Sequence, residues 1–418
     1  MSDSFSPALY RHRDFAFFLS GRFFGTVARQ VQSVAIGWQI YEIERTPLAL
    51  GLVGLCQFLP MFLLTLPAGE ISDRLNQRVV LAVAMVLQGI CGAMFLGLSL
   101  AHVDNAIAFY GVLVLFGAAR GFSGPAGNSL LAFLVPPERL ARSIAVNSSV
   151  FMVAVIAGPA LGGFLYALGP VATYSVCVVG FLASGACMVT LGGRRVAKVV
   201  PADAGRLARV AEGIRFVRRR PVVFGAISLD LFAVLLGGAT ALLPVFARDI
   251  MQVGPIGLGL LRSAPAAGAA LMAFALATRP IEHGTGWKMF AAVAVFGAAT
   301  VGFGLSQNFF LSLGALFVLG ASDMISVFVR HALVNFATPD EMRGRVGSVS
   351  MLFIGASNEL GEFESGLTAA IFGTVPAVVI GGLGTLAVVA IWMKLFPPLR
   401  TVDRLSDVSP QSLFTNSS

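Results

Sequence analysis

Apolar runs of about 20 residues follow one another along almost the whole chain, and this succession limits the possible folds more than any other feature. A bilayer core about 30 Å thick is crossed by about 20 helical residues, and inside it every backbone N–H and C=O must be satisfied within the structure. Cutting the chain at charge, Pro and Gly clusters yields twelve runs, at about 14–41, 48–70, 79–101, 105–134, 143–168, 171–192, 221–248, 255–279, 287–306, 309–337, 345–370 and 374–396. Composition points the same way. Of the 418 residues 56% are hydrophobic and 12% charged, against about 25% charge in an ordinary soluble domain. The expectation is an all-α membrane protein, one polytopic chain rather than a string of soluble domains.

The net charge of +8 does not indicate nucleic acid, because the basic residues sit between apolar runs and form no reading face. Cys56, Cys91, Cys177 and Cys187 all lie inside apolar stretches without metal-ligand spacing, so they read as small packed residues and no metal site is expected. The first run, from Phe15, contains Arg22 and Arg29 and leads into no small-residue cleavage pattern; it reads as a retained helix.

Lys and Arg alternate between the two sides of the layout, 22 on one side and 2 on the other, which predicts cytoplasmic N- and C-termini. Nine of them fall in residues 193–220, the one composition break in the middle of the chain. Domains are therefore expected at 1–192 (six spans), 193–220 (basic cytoplasmic linker), 221–396 (six spans) and 397–418 (cytoplasmic tail). Within the linker Leu207, Val210, Ile214 and Val217 recur at helical spacing, with Arg206, Arg209, Arg215 and Arg218 elsewhere, so a basic amphipathic helix on the inner leaflet is expected.

The halves repeat. Pro136, Glu138 and Arg142 match Pro339, Glu341 and Arg345 at an offset of 203 residues, and the same offset carries Gly117-Ala118 onto Gly320-Ala321 and Gly158 and Gly163 onto Gly361 and Gly366. One offset held across about 50 residues implies two pseudo-symmetric six-helix halves.

Local motifs carry a family resemblance. Gly69-Glu70-Ile71-Ser72-Asp73-Arg74-Leu75-Asn76-Gln77-Arg78 resembles the loop signature of the major facilitator superfamily, with Asn76 in place of a glycine; Asn tolerates left-handed φ, so the turn is expected to survive. Arg120 followed by Gly124 resembles that superfamily's R-x-x-x-G, and Gly158-Pro159-Ala160-Leu161-Gly162-Gly163 resembles the G-P-x-x-G-G of its proton-coupled exporters. The stretch from Thr338 to Arg345, with Asn358 to Gly366, is similar to the bacterial enterobactin-exporter-like, secretion-type subgroup. The resemblance implies a twelve-helix major facilitator fold in a bacterial inner membrane and a cytoplasmic conformational latch formed by Gly69, Asp73, Arg74, Arg78 and Arg120. It also implies a helix-packing signature at Gly158, Pro159, Gly162 and Gly163.

An ionisable group at the centre of a membrane helix costs about 2.5–3.5 kcal/mol on insertion scales, so each one calls for a reason. Ten are present: Arg22, Arg29, Arg120, Arg262, Arg330, Asp230, Asp323, Glu359, Glu362 and Glu364. Arg22, Arg29, Asp230, Asp323 and Arg330 are the candidate substrate and cavity residues, and Arg29 and Asp323 are expected to face a shared aqueous cavity. Gly355, Asn358, Glu359, Glu362, Ser365 and Gly366 form one small polar helix face; Glu362, with Glu359 second, is the candidate for the coupling proton, and Glu364 is structural. The opposing reading makes all of these fixed ion pairs. His331 reads as a packed histidine.

There is no GxxxxGK[ST] loop, no GxGxxG and no HExxH, so neither nucleotide-driven pumping nor a membrane enzyme is indicated. The expected function is a secondary-active exporter of a small amphipathic molecule, siderophore- or drug-like. It is driven by a proton gradient without cofactor or nucleotide, works by alternating access, and acts as a monomer in the lipid bilayer. Alternatives are a facilitator or importer with the same fold, or a non-transporting receptor or scaffold.

Overall fold

The computed structural model describes residues 13–191, 206–339 and 342–408, and among them the ordered backbone is helical throughout, with no strand. Twelve long helical stretches appear where the apolar runs predict them. They are α1 (Arg13–Glu44), α2 (Pro47–Arg74), α3 (Gln77–Leu100), α4 (Ala106–Leu134), α5 (Pro137–Ala167), α6 (Pro170–Val189), α8 (Pro221–Leu236) with its continuation to Ile250, α10 (Gly254–Thr278), α11 (Thr285–Leu305), α12 (Phe309–Ala337), α13 (Arg343–Phe372) and α14 (Thr374–Leu395). The linker supplies α7 (Arg206–Arg219), and α9 (Leu243–Val245) and α15 (Pro397–Arg400) are single turns. Ten of the long helices are apolar enough to cross a membrane by length and composition. The other two are α1 and α13, which are long enough but carry the charged residues that any functional reading must explain.

Helix ends follow local chemistry. Asn105 and Asn308 cap α4 and α12 through side-chain oxygens that accept backbone N–H groups. The repeated proline motif marks equivalent starts: the Arg139 N–H donates to Pro136 O at 3.0 Å before α5, and the Met342 N–H to Pro339 O at 2.9 Å before α13. Asp340 and Glu341 lie outside the described residues. Asn76 departs from expectation. Its φ is −68°, and its side chain accepts the Arg78 N–H at 3.1 Å as the N-cap of α3. A capping Asn needs extended backbone, so no left-handed turn forms there. The seventh span is interrupted after Leu236: Gly237-Gly238 end α8, a 3-10 turn spans Ala239–Leu242, and a π turn Phe246–Ile250 follows α9.

Contacts divide the chain into two compact units. One comprises residues 1–45, 55–201 and 253–263; the other 46–54, 202–252 and 264–418. In the first unit Phe15, Phe18, Leu81, Met85, Ala126, Leu131 and Met188 form a core among α1, α3, α4 and α6. Gln39 joins it to the far ends of those helices, donating to Ser99 Oγ at 3.1 Å and accepting from Tyr174 Oη at 2.7 Å. In the second unit the core gathers Val223, Leu229, Phe290, Val329, Leu333, Val346 and Leu399, so the segment after α14 is part of it.

The glycines of the 203-residue repeat share one physical cause. A β-carbon at Gly117 would overlap the carbonyl of Gln57 on α2, and one at Gly320 would overlap the carbonyl of Pro265 on α10. Gly163 seats the first turns of α10 at Pro255 and Gly259, and its repeat mate Gly366 seats the first turns of α2 at Pro47 and Gly51. Those seats place 253–263 in the first unit and 46–54 in the second.

Candidate functional site

The charges of the membrane helices separate by unit. Arg22, Arg29, Arg120 and Arg262 all belong to the first; Arg330, Asp230, Asp323, Glu359, Glu362 and Glu364 belong to the second. From Phe15 to Tyr41, and throughout α4 and α10, there is no Asp or Glu to neutralise the arginines.

In the first unit α1 and α4 run antiparallel, and two pairs seven residues apart each share a helix face: Arg22 and Arg29 on α1, Arg120 and Gly127 on α4. Gly127 lies beside Arg22, since a β-carbon there would come within 2.9 Å of Arg22 Nη1. The same register brings Arg29 opposite Arg120, and Arg29 feels the positive charge of both Arg120 and Arg22. One turn further along α1, Ser33 Oγ accepts from Arg262 Nη1 at 2.9 Å. The Nε atoms of Arg22 and Arg29 are buried without a hydrogen-bond partner among the described residues.

The second unit handles its charges by pairing. Arg330 Nη1 and Asp230 Oδ1 form an ion pair between α12 and α8 whose side chains are 3% and 8% exposed. Asp230, Asp323 and Ser326 border a small cavity with Val293 and Phe296. Asp323 itself has no hydrogen-bond or ion-pair partner among the described residues. On α13 the polar face predicted from sequence packs closely only in its second part, at Glu362, Ser365 and Gly366, whereas Asn358 is exposed and nothing lies within 4 Å of a β-carbon at Gly355. A β-carbon at Gly54 would lie 2.9 Å from Glu362 Oε2, Gly361 meets the carbonyls of Val234 and Leu235, and Ser365 Oγ lies beside Gly238. Glu359 and Glu362 are both engaged by partners, and Glu364 accepts from Thr368 Oγ1 at 2.7 Å.

Gly69 and the side chains of Asp73 and Arg74 lie outside what the structure describes. Arg78 donates to the carbonyls of Val189 and Leu191, neutralising the negative end of α6. In the exporter-type signature a β-carbon at Gly162 would lie 3.0 Å from Val31 Cα of α1 and one at Gly158 would overlap Gln30, while the carbonyl of Pro159 faces Gly259; the stretch is a packing element between three helices. On α7, Gly213 rests against the Arg345 backbone, Glu212 pairs with Arg345 at 2.8 Å and Val217 is buried, whereas Ile214 is exposed. The side chains of Leu207 and Val210 lie outside the described residues. His331 is exposed rather than packed. The four cysteines are free, and no cluster suited to a metal ion occurs among the described residues.

Sequence reasoning singled out the charged residues but not their neighbours. Gly127, Ser33 and the cavity-lining Ser326 carry no signal in a single sequence. The docked tail was also not foreseen: Asp403 accepts the Gly284 N–H at 2.7 Å and pairs with His283 at 3.0 Å. These hydrogen bonds hold the Asp403 carboxyl below its ordinary range, His283 contributing most.

Comparison with known proteins gives concordant findings. Residues 2–416 match the family described as transmembrane secretion effector. The enterobactin exporter EntS of Escherichia coli O1:K1 / APEC is 26% identical over 390 residues, covering 90% of this chain and 87% of that protein. Among solved structures, the nucleoside transporter NupG superposes with a TM-score of 0.73 at 13% identity, covering 92% of this chain and 100% of that one. A bacterial homologue of the iron transporter ferroportin superposes with a TM-score of 0.69 at 18% identity, covering 93% and 99%.

Proposed function

Since the chain belongs to the transmembrane secretion effector family, a branch of the major facilitator superfamily of membrane transporters and not of enzymes, we propose that it is a proton-driven exporter of small amphipathic molecules. It acts as a monomer in a bacterial inner membrane with both termini in the cytoplasm, and its two units alternate access to the substrate. The observation that carries this reading is the division of membrane charge: all five membrane carboxylates belong to one unit, and four of the five membrane arginines belong to the other. Export as the direction is supported by the name of the 26% identical relative and by the G-P-x-x-G-G stretch from Gly158 to Gly163. Asp73 and Arg74, with Gly69, Arg78 and Arg120, serve as the cytoplasmic latch.

Two carboxylates are candidates for the coupling proton. Glu362, with Glu359, is the choice from sequence. Asp323 joins it because its carboxyl is the one without a fixed partner among the described residues and borders a small cavity, so protonation there breaks no ion pair. Inside-out vesicles with an acidic lumen provide the test, using naphthalene derivatives with neutral, cationic and anionic substituents as probes. A proton-driven exporter accumulates a probe until a protonophore collapses the gradient, whereas a facilitator only equilibrates it. Glu362→Gln or Asp323→Asn should abolish gradient-driven accumulation while leaving probe exchange intact. Unchanged pH dependence in both variants would refute proton coupling through these groups.

A further inference from the structure

Two arginines buried in the middle of a membrane helix, with no acidic residue between Phe15 and Tyr41, are an expensive arrangement. A buried charged donor left unpaired costs about 1–3 kcal/mol or more, and like charges in a medium of low dielectric repel. The first unit nevertheless holds Arg22 and Arg29 with their Nε atoms buried and unpartnered among the described residues, and it brings Arg120 within electrostatic reach of Arg29. Arg262 is anchored on Ser33, one turn from Arg29. A second, independent feature lies on α4. Gly124 falls between Arg120 and Gly127 on the same face, four residues from one and three from the other; it is exposed, and a β-carbon there would meet nothing within 4 Å. This face of α4 therefore leaves open space at Gly124, between Arg120 and Gly127.

Taking the exporter reading above as its premise, we infer that this face of α1 and α4 binds the acidic group of the substrate, so the exported molecule is an organic anion. Arg22 and Arg29 are the recognising pair: a guanidinium presents a rigid fork of donors that matches a carboxylate or phosphate oxygen pair, and an anion held there also relieves the repulsion from Arg120. Gly124 leaves the space for the body of the molecule to lie along α4. A neutral or cationic amphiphile gains none of this and meets the repulsion unrelieved. The specificity lies in the two guanidinium groups of Arg22 and Arg29, unpartnered among the described residues, while the second unit commits its one membrane arginine, Arg330, to Asp230.

The test uses the full chain purified in a neutral detergent and titrated calorimetrically with 1-naphthoate, 1-naphthyl phosphate, the neutral 1-naphthamide and a naphthylmethyl ammonium. The expected result is that at least one anion binds about tenfold or more tightly than the amide, the gain expected for hydrogen bonds to a charged group, and that the preference shrinks with added salt. Arg29→Gln and Arg22→Gln should each remove the preference, and Arg29→Lys should keep part of it. Gly124→Leu, which leaves every arginine in place, should weaken anion binding by filling the space beside them, and it decides the matter if an arginine variant does not fold. Equal binding of anion and amide, or an anion preference that survives both Arg29→Gln and Gly124→Leu, overturns the assignment. Gradient-driven accumulation of only the cationic or neutral probe would keep the exporter reading and refute the anion site. Arginine-dependent anion binding without gradient-driven accumulation would do the reverse.

Discussion

Substituting Gly366 by Ala tests the seat of α2 on α13 within the second unit. The added β-carbon would lie 2.7 Å from Gly51 Cα, 2.8 Å from Gly51 N and 3.0 Å from Pro47 O. All three are backbone atoms at the start of a helix, so no side chain can turn aside. Bringing these contacts to ordinary carbon separations needs the helices to part by roughly 0.7–1 Å, and overpacking of this kind costs about 1–3 kcal/mol. At about 1.4 kcal/mol per decade, the seated arrangement loses roughly 5- to 150-fold in population relative to one in which α2 leaves α13. Gly355→Ala on the same helix is the matched control: nothing lies within 4 Å of its β-carbon, and Ala is favoured over Gly in a helix by about 1 kcal/mol. Thermal unfolding in detergent should therefore show a lower midpoint for Gly366→Ala and an equal or higher one for Gly355→Ala, and vesicle transport should fall only for the former. If the two variants unfold at the same temperature and transport equally, close helix approach is not what the repeated glycine provides.

Further predictions concern charges. Breaking the Asp230–Arg330 pair by Asp230→Asn or Arg330→Gln leaves a buried charge alone and should cost about 3–5 kcal/mol, read as loss of folded protein after extraction. The double replacement Asp230→Asn/Arg330→Met should recover much of that loss, and a cycle without coupling would show that the pair is not energetically joined. At the tail, the Asp403 carboxyl is held below its ordinary value by His283 and the Gly284 N–H, so its contribution is present above about pH 4 and disappears as pH falls through the lowered value. Amide exchange over Leu399–Val408 should therefore speed up only in that acid range, and Asp403→Asn should speed it up at neutral pH; equal exchange in variant and wild type would remove the pair from the docking of the tail.

The twelve spans, the linker and the two-fold repeat were legible in the sequence, because a bilayer demands about 20 apolar residues for each crossing and tolerates a charge or a glycine only for cause. The period of the helix likewise fixed which residues share a face, so the pairing of Arg22 with Arg29, and of Glu359 with Glu362, needed no coordinates. What lies opposite a face is set by helix packing across long stretches of chain. Arg330 meets Asp230 a hundred residues away, Gly127 lies beside Arg22, and Glu362 rests on Gly54. Local chemistry also has competing outcomes that only the surrounding structure resolves. Asn76 became a cap instead of a left-handed turn, and Arg78 serves the carbonyl end of α6. The sequence by itself determined how often the chain crosses the membrane and where it carries charge. The tertiary structure decided which charges are neutralised, because pairing depends on contact between helices, and no spacing along one helix encodes that.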